Sequence, residues 1–84
     1  MQLEIYTPEE KIYSGDVYGV QLRGVDGYFE VLENHAPIIA TLTEGKMKIL
    51  KDKNTTEQYE IAGGFIEVLN NKASVLIEGA KAVS

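Results

Sequence analysis

A chain of 84 residues, 44% of them apolar, is sized for one domain around one core, and such a domain hides only about 60–65% of the surface its unfolded chain exposes. Thirteen acidic residues against eight basic ones, a net charge of −5, argue against nucleic acid and anionic lipid as partners, because phosphate binding needs a surplus of Lys and Arg on one face. The absence of cysteine excludes disulfides, thiol redox chemistry and thiolate metal sites, and no apolar run approaches the roughly 20 residues of a membrane span.

Along the chain the hydrophobic period is two almost everywhere, which marks strands with one buried and one wet face. The opening Met1-Gln2-Leu3-Glu4-Ile5-Tyr6 has no basic region leading an apolar run, so it reads as a strand and not as a signal peptide. Leu3 and Ile5 alternate with polar neighbours, as do Val20 and Leu22, Met47 and Ile49, and Val75 and Ile77. Turn chemistry separates these runs at Thr7-Pro8-Glu9-Glu10, Ser14-Gly15-Asp16, Gly24-Val25-Asp26-Gly27, Glu33-Asn34-His35, Glu44-Gly45, Asp52-Lys53-Asn54, Gly63-Gly64 and Asn70-Asn71. Ala36 to Leu42 comes nearest to a helical period, but Pro37, Thr41 and two isoleucines favour a strand. Both asparagines of Asn70-Asn71 tolerate positive φ, so they suit a two-residue hairpin between Phe65–Leu69 and Ala73–Ile77. Lys46–Lys51 and Glu57–Ile61 flank a longer polar turn. The pattern predicts an all-β flattened sandwich of two antiparallel sheets, about ten short strands in a single domain over residues 1–84. Only Ala80 to Ser84 reads as a frayed end.

No catalytic, cofactor-binding or metal-binding residue is assigned. His35 is the one histidine and has no second imidazole or thiolate for a metal; it reads as a residue fixing a loop or packing at an interface. The carboxylates Glu30 and Glu33 match no calcium loop, and with Glu9-Glu10 they read as a solvated rim. Gly63-Gly64 opens a strand and not a helix, which points to a bulge or a close backbone approach instead of a phosphate loop. Tyr28 and Phe29 follow Gly27 in what reads as a protruding turn. Neighbouring strand residues point to opposite faces, so at least one aromatic is expected outside, where it is available as an interface anchor.

The segment Gly27-Tyr28-Phe29-Glu30-Val31-Leu32-Glu33-Asn34-His35-Ala36-Pro37-Ile38-Ile39, followed by Ala62-Gly63-Gly64-Phe65-Ile66-Glu67-Val68-Leu69, resembles the β-sandwich domain of the epsilon subunit of F-type ATP synthases. Leu3 to Glu9 resembles that family's opening strand, and Ile12-Tyr13-Ser14-Gly15 its following turn. The resemblance implies a non-catalytic rotor subunit clamping the gamma subunit to the membrane c-ring, and so coupling ion flow to ATP synthesis. Carried over by motif position, Asp26, Gly27, Tyr28, Phe29 and Glu30 are expected in a loop facing the c-ring, and His35, Ala36, Pro37 and Ile38 on the gamma side. Acidic Asp26 and Glu30 would complement basic ring loops. Glu30 stands where many members have glycine, and Glu33 where many have proline.

The resemblance further implies no cofactor, no nucleotide site, membrane contact only through partner subunits, and a peripheral place on the cytoplasmic face of a bacterial inner membrane. The sequence stops shortly after Glu78-Gly79, so the family's C-terminal helical hairpin is expected to be missing. The rival reading from the residues is a small carbohydrate- or peptide-binding β module, since five tyrosines could furnish an aromatic platform. A single-stranded nucleic-acid binder lacks a basic groove, and an enzyme lacks a nucleophile–base pair.

Overall fold

Alternation decides the architecture. In the computed structural model, which describes residues 1–83, every run with period two is a strand whose apolar members point into one core. The ten strands are β1 (Gln2–Tyr6), β2 (Lys11–Asp16), β3 (Gly19–Gly24), β4 (Gly27–Leu32), β5 (Ile38–Leu42), β6 (Gly45–Leu50), β7 (Thr56–Ile61), β8 (Gly64–Leu69), β9 (Lys72–Ile77) and β10 (Ala80–Val83). No helix occurs among the described residues. Leu3, Ile5, Val20, Leu22, Met47, Ile49, Ile66 and Val75 are fully buried, with Val68 and Ile77 close behind. Each such side chain contributes about 1.5–3 kcal/mol by leaving water.

The hydrogen-bonded order is β10-β7-β6-β3-β5-β8-β9-β1-β2, with β4 on the other edge of β3. The all-β architecture is as expected, and the two layers of the expected sandwich are joined by hydrogen bonds. The chain forms one continuous curled sheet whose two halves, β4-β3-β6-β7-β10 and β5-β8-β9-β1-β2, meet at a single register pair, Gly24 with Leu42. The halves are not antiparallel throughout: β1 runs parallel to β9, pairing Leu3 with Ala73 and Ile5 with Val75. Nor is the molecule flattened, for its principal extents are 26 × 26 × 25 Å. β5 and β6 both run antiparallel to β3, so they form one bent passage of chain that changes halves at Thr43-Glu44, the way a strand turns a corner between orthogonal layers.

The turns follow their residues. Asn70 and Asn71 have φ of 51° and 61°, the doubly left-handed turn expected between β8 and β9. At the β3–β4 hairpin neither Val25 nor Asp26 has positive φ, and Gly27 supplies it instead, at 123°. Ser14-Gly15-Asp16, read as a turn, lies inside β2. Short polar residues and a glycine are tolerated there because β2 pairs on one side only. Ala80–Val83, read as a frayed end, pairs with Gln58–Ile61 as β10; Ser84 lies outside the described residues.

Candidate partner-binding surfaces

The β3–β4 hairpin ends in Val25-Asp26, and Val25 is 71% exposed. The expectation of a loop over Asp26 to Glu30 needs correction. Only Asp26 belongs to the turn, while Gly27, Tyr28, Phe29 and Glu30 are strand residues in unbroken register with Gly24, Arg23, Leu22 and Gln21. A two-residue turn bracketed by glycines lets pairing begin at once, so the sequence that reads as a tip becomes an edge strand. The two aromatics divide as strand geometry requires. Phe29 packs against the core, and Tyr28 is 62% exposed. The Tyr28 ring lies beside the Arg23 guanidinium, 5.8 Å from its centroid, and its hydroxyl accepts from the Lys46 N–H at 3.4 Å. Glu30 accepts from the Gln21 amide at 2.7 Å.

The adjoining β5–β6 corner is fastened to this hairpin. The Thr43 N–H donates to the Arg23 carbonyl at 2.9 Å, and the Thr43 hydroxyl reaches the Gly24 carbonyl at 3.4 Å. Asp26, Val25, Thr43 and Glu44 therefore share one end of the molecule.

His35, Ala36, Pro37 and Ile38 occupy the passage from β4 to β5. The His35 N–H donates to the Leu32 carbonyl at 3.2 Å, and Nδ1 lies 2.7 Å from the Ala36 carbonyl. The ring thus braces its own loop, the structural role that a lone histidine suggested. Ala36 and Pro37 are exposed, and Ile38 is half-buried against the core. Asn34, at φ 63°, donates its N–H to the Asn71 side chain at 2.7 Å. The Met1 ammonium bonds Glu33 at 3.0 Å and Asp16 at 3.1 Å. Burial works against its charge, but the Glu33 and Asp16 carboxylates outweigh that and raise its pKa.

Sequence reasoning missed a third surface. On the outer face of β5, β8 and β9 stand Ile39 (76% exposed), Phe65, Leu69 and Leu76. Phe65 faces Thr41 on one side and Leu76 on the other. The signal was adjacent apolar residues, Ile38-Ile39, Phe65-Ile66 and Val68-Leu69, which cannot all enter one core. Glu67 sits in the middle of this face, between Ile39 and Ser74, and the patch runs into the His35 segment through a shallow cleft lined by Pro37, Ile38, Ile39, Glu67 and Leu69. Exposed apolar residues gathered on one face mark interaction sites more often than scattered ones do.

Beside it, Glu4 accepts from Lys72 at 3.1 Å and Lys11 at 3.2 Å. Lys72, then Lys11 and the Tyr6 hydroxyl, hold its carboxyl at about 2. Among the described residues no three His, Cys, Asp or Glu side chains converge as a metal site would require, and no helix is long and apolar enough to cross a membrane.

The sequence matches the family described as ATP synthase, Delta/Epsilon chain, beta-sandwich domain, over residues 1–83. It is 39% identical over 77 residues to the ATP synthase epsilon chain of Chlorobium limicola, covering 92% of this chain and 88% of that one. Against the ATP synthase epsilon chain of Protochlamydia amoebophila it is 41% identical over 81 residues, which is 96% of this chain and 55% of the relative. Among solved structures, a chain of the Euglena gracilis mitochondrial ATP synthase, OSCP/F1/c-ring assembly, superposes with a TM-score of 0.89 at 23% identity, over 95% of this chain and 51% of that one. A chain of the Tetrahymena thermophila mitochondrial ATP synthase central stalk and c-ring gives 0.84 at 16% identity, over 96% and 65%. At these identities the structural likeness is one of fold. The sequence homologues are epsilon chains, non-catalytic subunits of the rotary complex. With all-β architecture and a match running across residues 1–83, this chain belongs to the ATP synthase delta/epsilon chain family, through its beta-sandwich domain.

Proposed function

We propose that the domain is a rotor part of an F-type ATP synthase, a two-layered clamp that fixes the gamma subunit to the c-ring and so couples ion flow to ATP synthesis. The carrying observation is the presence of two separate exposed surfaces on one body built from a continuous hydrogen-bonded sheet. One is the hairpin end with Asp26, Gly27, Tyr28, Phe29 and Glu30. The other is the His35, Ala36, Pro37 and Ile38 segment with the apolar patch of Ile39, Phe65, Leu69 and Leu76 beside it. The hairpin end sets the carboxylates of Asp26 and Glu30 beside exposed Val25 and Tyr28, and those carboxylates suit basic ring loops and favour register over raw affinity. The second surface is largely apolar around the single carboxylate Glu67, which suits a lasting interface with a shaft subunit. The membrane is reached through these partners, on the cytoplasmic face of a bacterial inner membrane.

Such a clamp needs rigidity and no reactive group. The test is recovery of partner chains from the source organism's membranes on tagged protein. Gamma and ring subunits in the eluate are the expected result. Their absence, or retention on immobilised glycan by the isolated domain, would overturn the reading. A clean preparation is further expected to hydrolyse no ATP.

A further inference from the structure

Because Gly27 to Glu30 form a strand and not a loop, this end of the molecule can bind through its backbone. β4 has one neighbour, β3, so its other edge is open. The hairpin closes on Gly24 and Gly27, which makes Leu22–Phe29 and Val20–Val31 hydrogen-bonded pairs in their turn. The bond from Thr43 N–H to the Arg23 carbonyl, on the opposite edge of β3, fixes the same parity. The N–H and C=O groups of Tyr28 and Glu30 therefore point away from β3, and they have no backbone partner among the described residues.

Sheet edges of this kind are usually guarded, and the other edges here are. β2 is irregular against β1 at Ile5/Tyr6 and opens on Lys11. β10 has only four residues, and Pro37 stands just before β5. β4 has neither proline, lysine nor register shift over six pairs. Clefts also open on both sides of it. One of about 310 Å³ is lined by Gln21, Tyr28, Phe29 and Glu30; another of about 380 Å³ runs from the hairpin tip past Phe29 to Ala40 and Thr41. An open edge with room on both faces is the arrangement by which an added strand is held through its main chain and selected through alternate side chains.

We propose that β4 receives an extended segment of a partner polypeptide as an additional strand, paired through the main-chain groups of Tyr28 and Glu30. The proposal rests on the reading that the hairpin faces a rotor partner, and it names the binding mode. On the outer face the incoming strand places a Lys or Arg beside Glu30, whose carboxylate has Gln21 as a partner but no ion pair among those of the described residues. On the inner face it places a small apolar residue toward Ala40. A second copy of this chain fits poorly, because antiparallel pairing about Glu30 would bring like carboxylates together between two bodies each carrying a charge of −5.

The test uses the full chain bound to ATP synthase stripped of this subunit. Residue-resolved amide exchange is followed at Tyr28 and Glu30, alongside binding by the variants Glu30→Pro and Glu30→Gln. The expected result is slowing of both amides by at least roughly tenfold on assembly, the effect of closing one hydrogen bond per group. Glu30→Pro, whose lost N–H faces the open edge so that pairing with β3 survives, should bind roughly tenfold more weakly than Glu30→Gln. Binding without protection of these amides would overturn the strand pairing while leaving the rotor reading intact. Failure of the unaltered chain to bind would remove both. Protection already present in the isolated chain, with dimers in sedimentation, would assign the edge to self-association and overturn the proposal. Should Glu30→Pro not fold, amide exchange on the unaltered chain decides alone.

Discussion

The backbone of Leu76 occupies the place where a β-carbon on Gly64 would have to stand: such an atom would overlap the Leu76 carbonyl oxygen and lie 2.9 Å from the Ile77 Cα. Gly64 also holds φ at 148°, a region that side-chain-bearing residues rarely adopt. Two independent obstacles thus act on one position in the first pair of the β8–β9 ladder, Gly64 with Ile77. Gly64→Ala should cost about 3 kcal/mol or more, read as a fall in urea midpoint. Gly79, with open space around it and no positive φ, should accept alanine at little cost. Equal tolerance at the two sites would refute the close approach.

The asparagine turn makes a finer distinction. Asn70 and Asn71 share the left-handed conformation, but only the Asn71 side chain accepts a bond, from the Asn34 N–H. Asn70→Gly should therefore be neutral within about 0.5 kcal/mol, whereas Asn71→Gly should lose about 1 kcal/mol with that hydrogen bond. Thermal unfolding of the pair would show this, and the reverse order would disprove the link between the turn and the His35 segment.

Acid should act through Glu4. Its folded pKa of about 2 lies below the ordinary 4.5, so the unfolded chain takes up the proton first. The stabilisation is complete above about pH 4.5 and is lost as pH falls toward 2. Glu4→Gln should unfold at a lower temperature than the unaltered chain near neutrality, with the gap closing as pH descends through that window. Because Lys11 and Lys72 are partly exposed, added salt should narrow the gap as well. A gap constant from pH 7 to 2 would assign the effect to packing.

Tyr28 separates binding from stability. Its ring is mostly in water and its stacking on Arg23 is a surface contact. Tyr28→Ala should change stability by no more than about 1 kcal/mol, while weakening the attachment to the c-ring proposed above. Leu22→Ala, on the adjacent strand but fully buried, should cost about 2–5 kcal/mol. If the two variants melted alike, the inside-outside assignment of this hairpin would be wrong.

These contrasts also show what local sequence conveys. Alternation at Val20-Leu22, Met47-Ile49 and Val75-Ile77 reports burial directly, because a side chain's face depends only on its place in a strand. The pairing of β1 with β9 carries no local mark: Leu3 meets Ala73 through some seventy residues of intervening chain, and a strand's residues do not state whether its neighbour runs parallel. The hairpin misled for a different reason. Polarity and aromaticity at Asp26 to Glu30 look alike in a loop and in an edge strand, since both leave half their side chains wet. The apolar patch was legible in principle, as isoleucines and aromatics set side by side, but its extent depended on which strands become neighbours.

The bent passage from β5 to β6 ties the two halves of the sheet together. Because the same backbone belongs to both halves of the sheet, a push delivered near Pro37 reaches the vicinity of Arg23 along covalent bonds and ladder hydrogen bonds, without relying on side chains sliding over one another. Thr43 and Glu44 are then the elbow of a bracket, and slack introduced there, for instance by inserted glycines, would leave the shared core as the main tie between the halves and make the bracket more compliant.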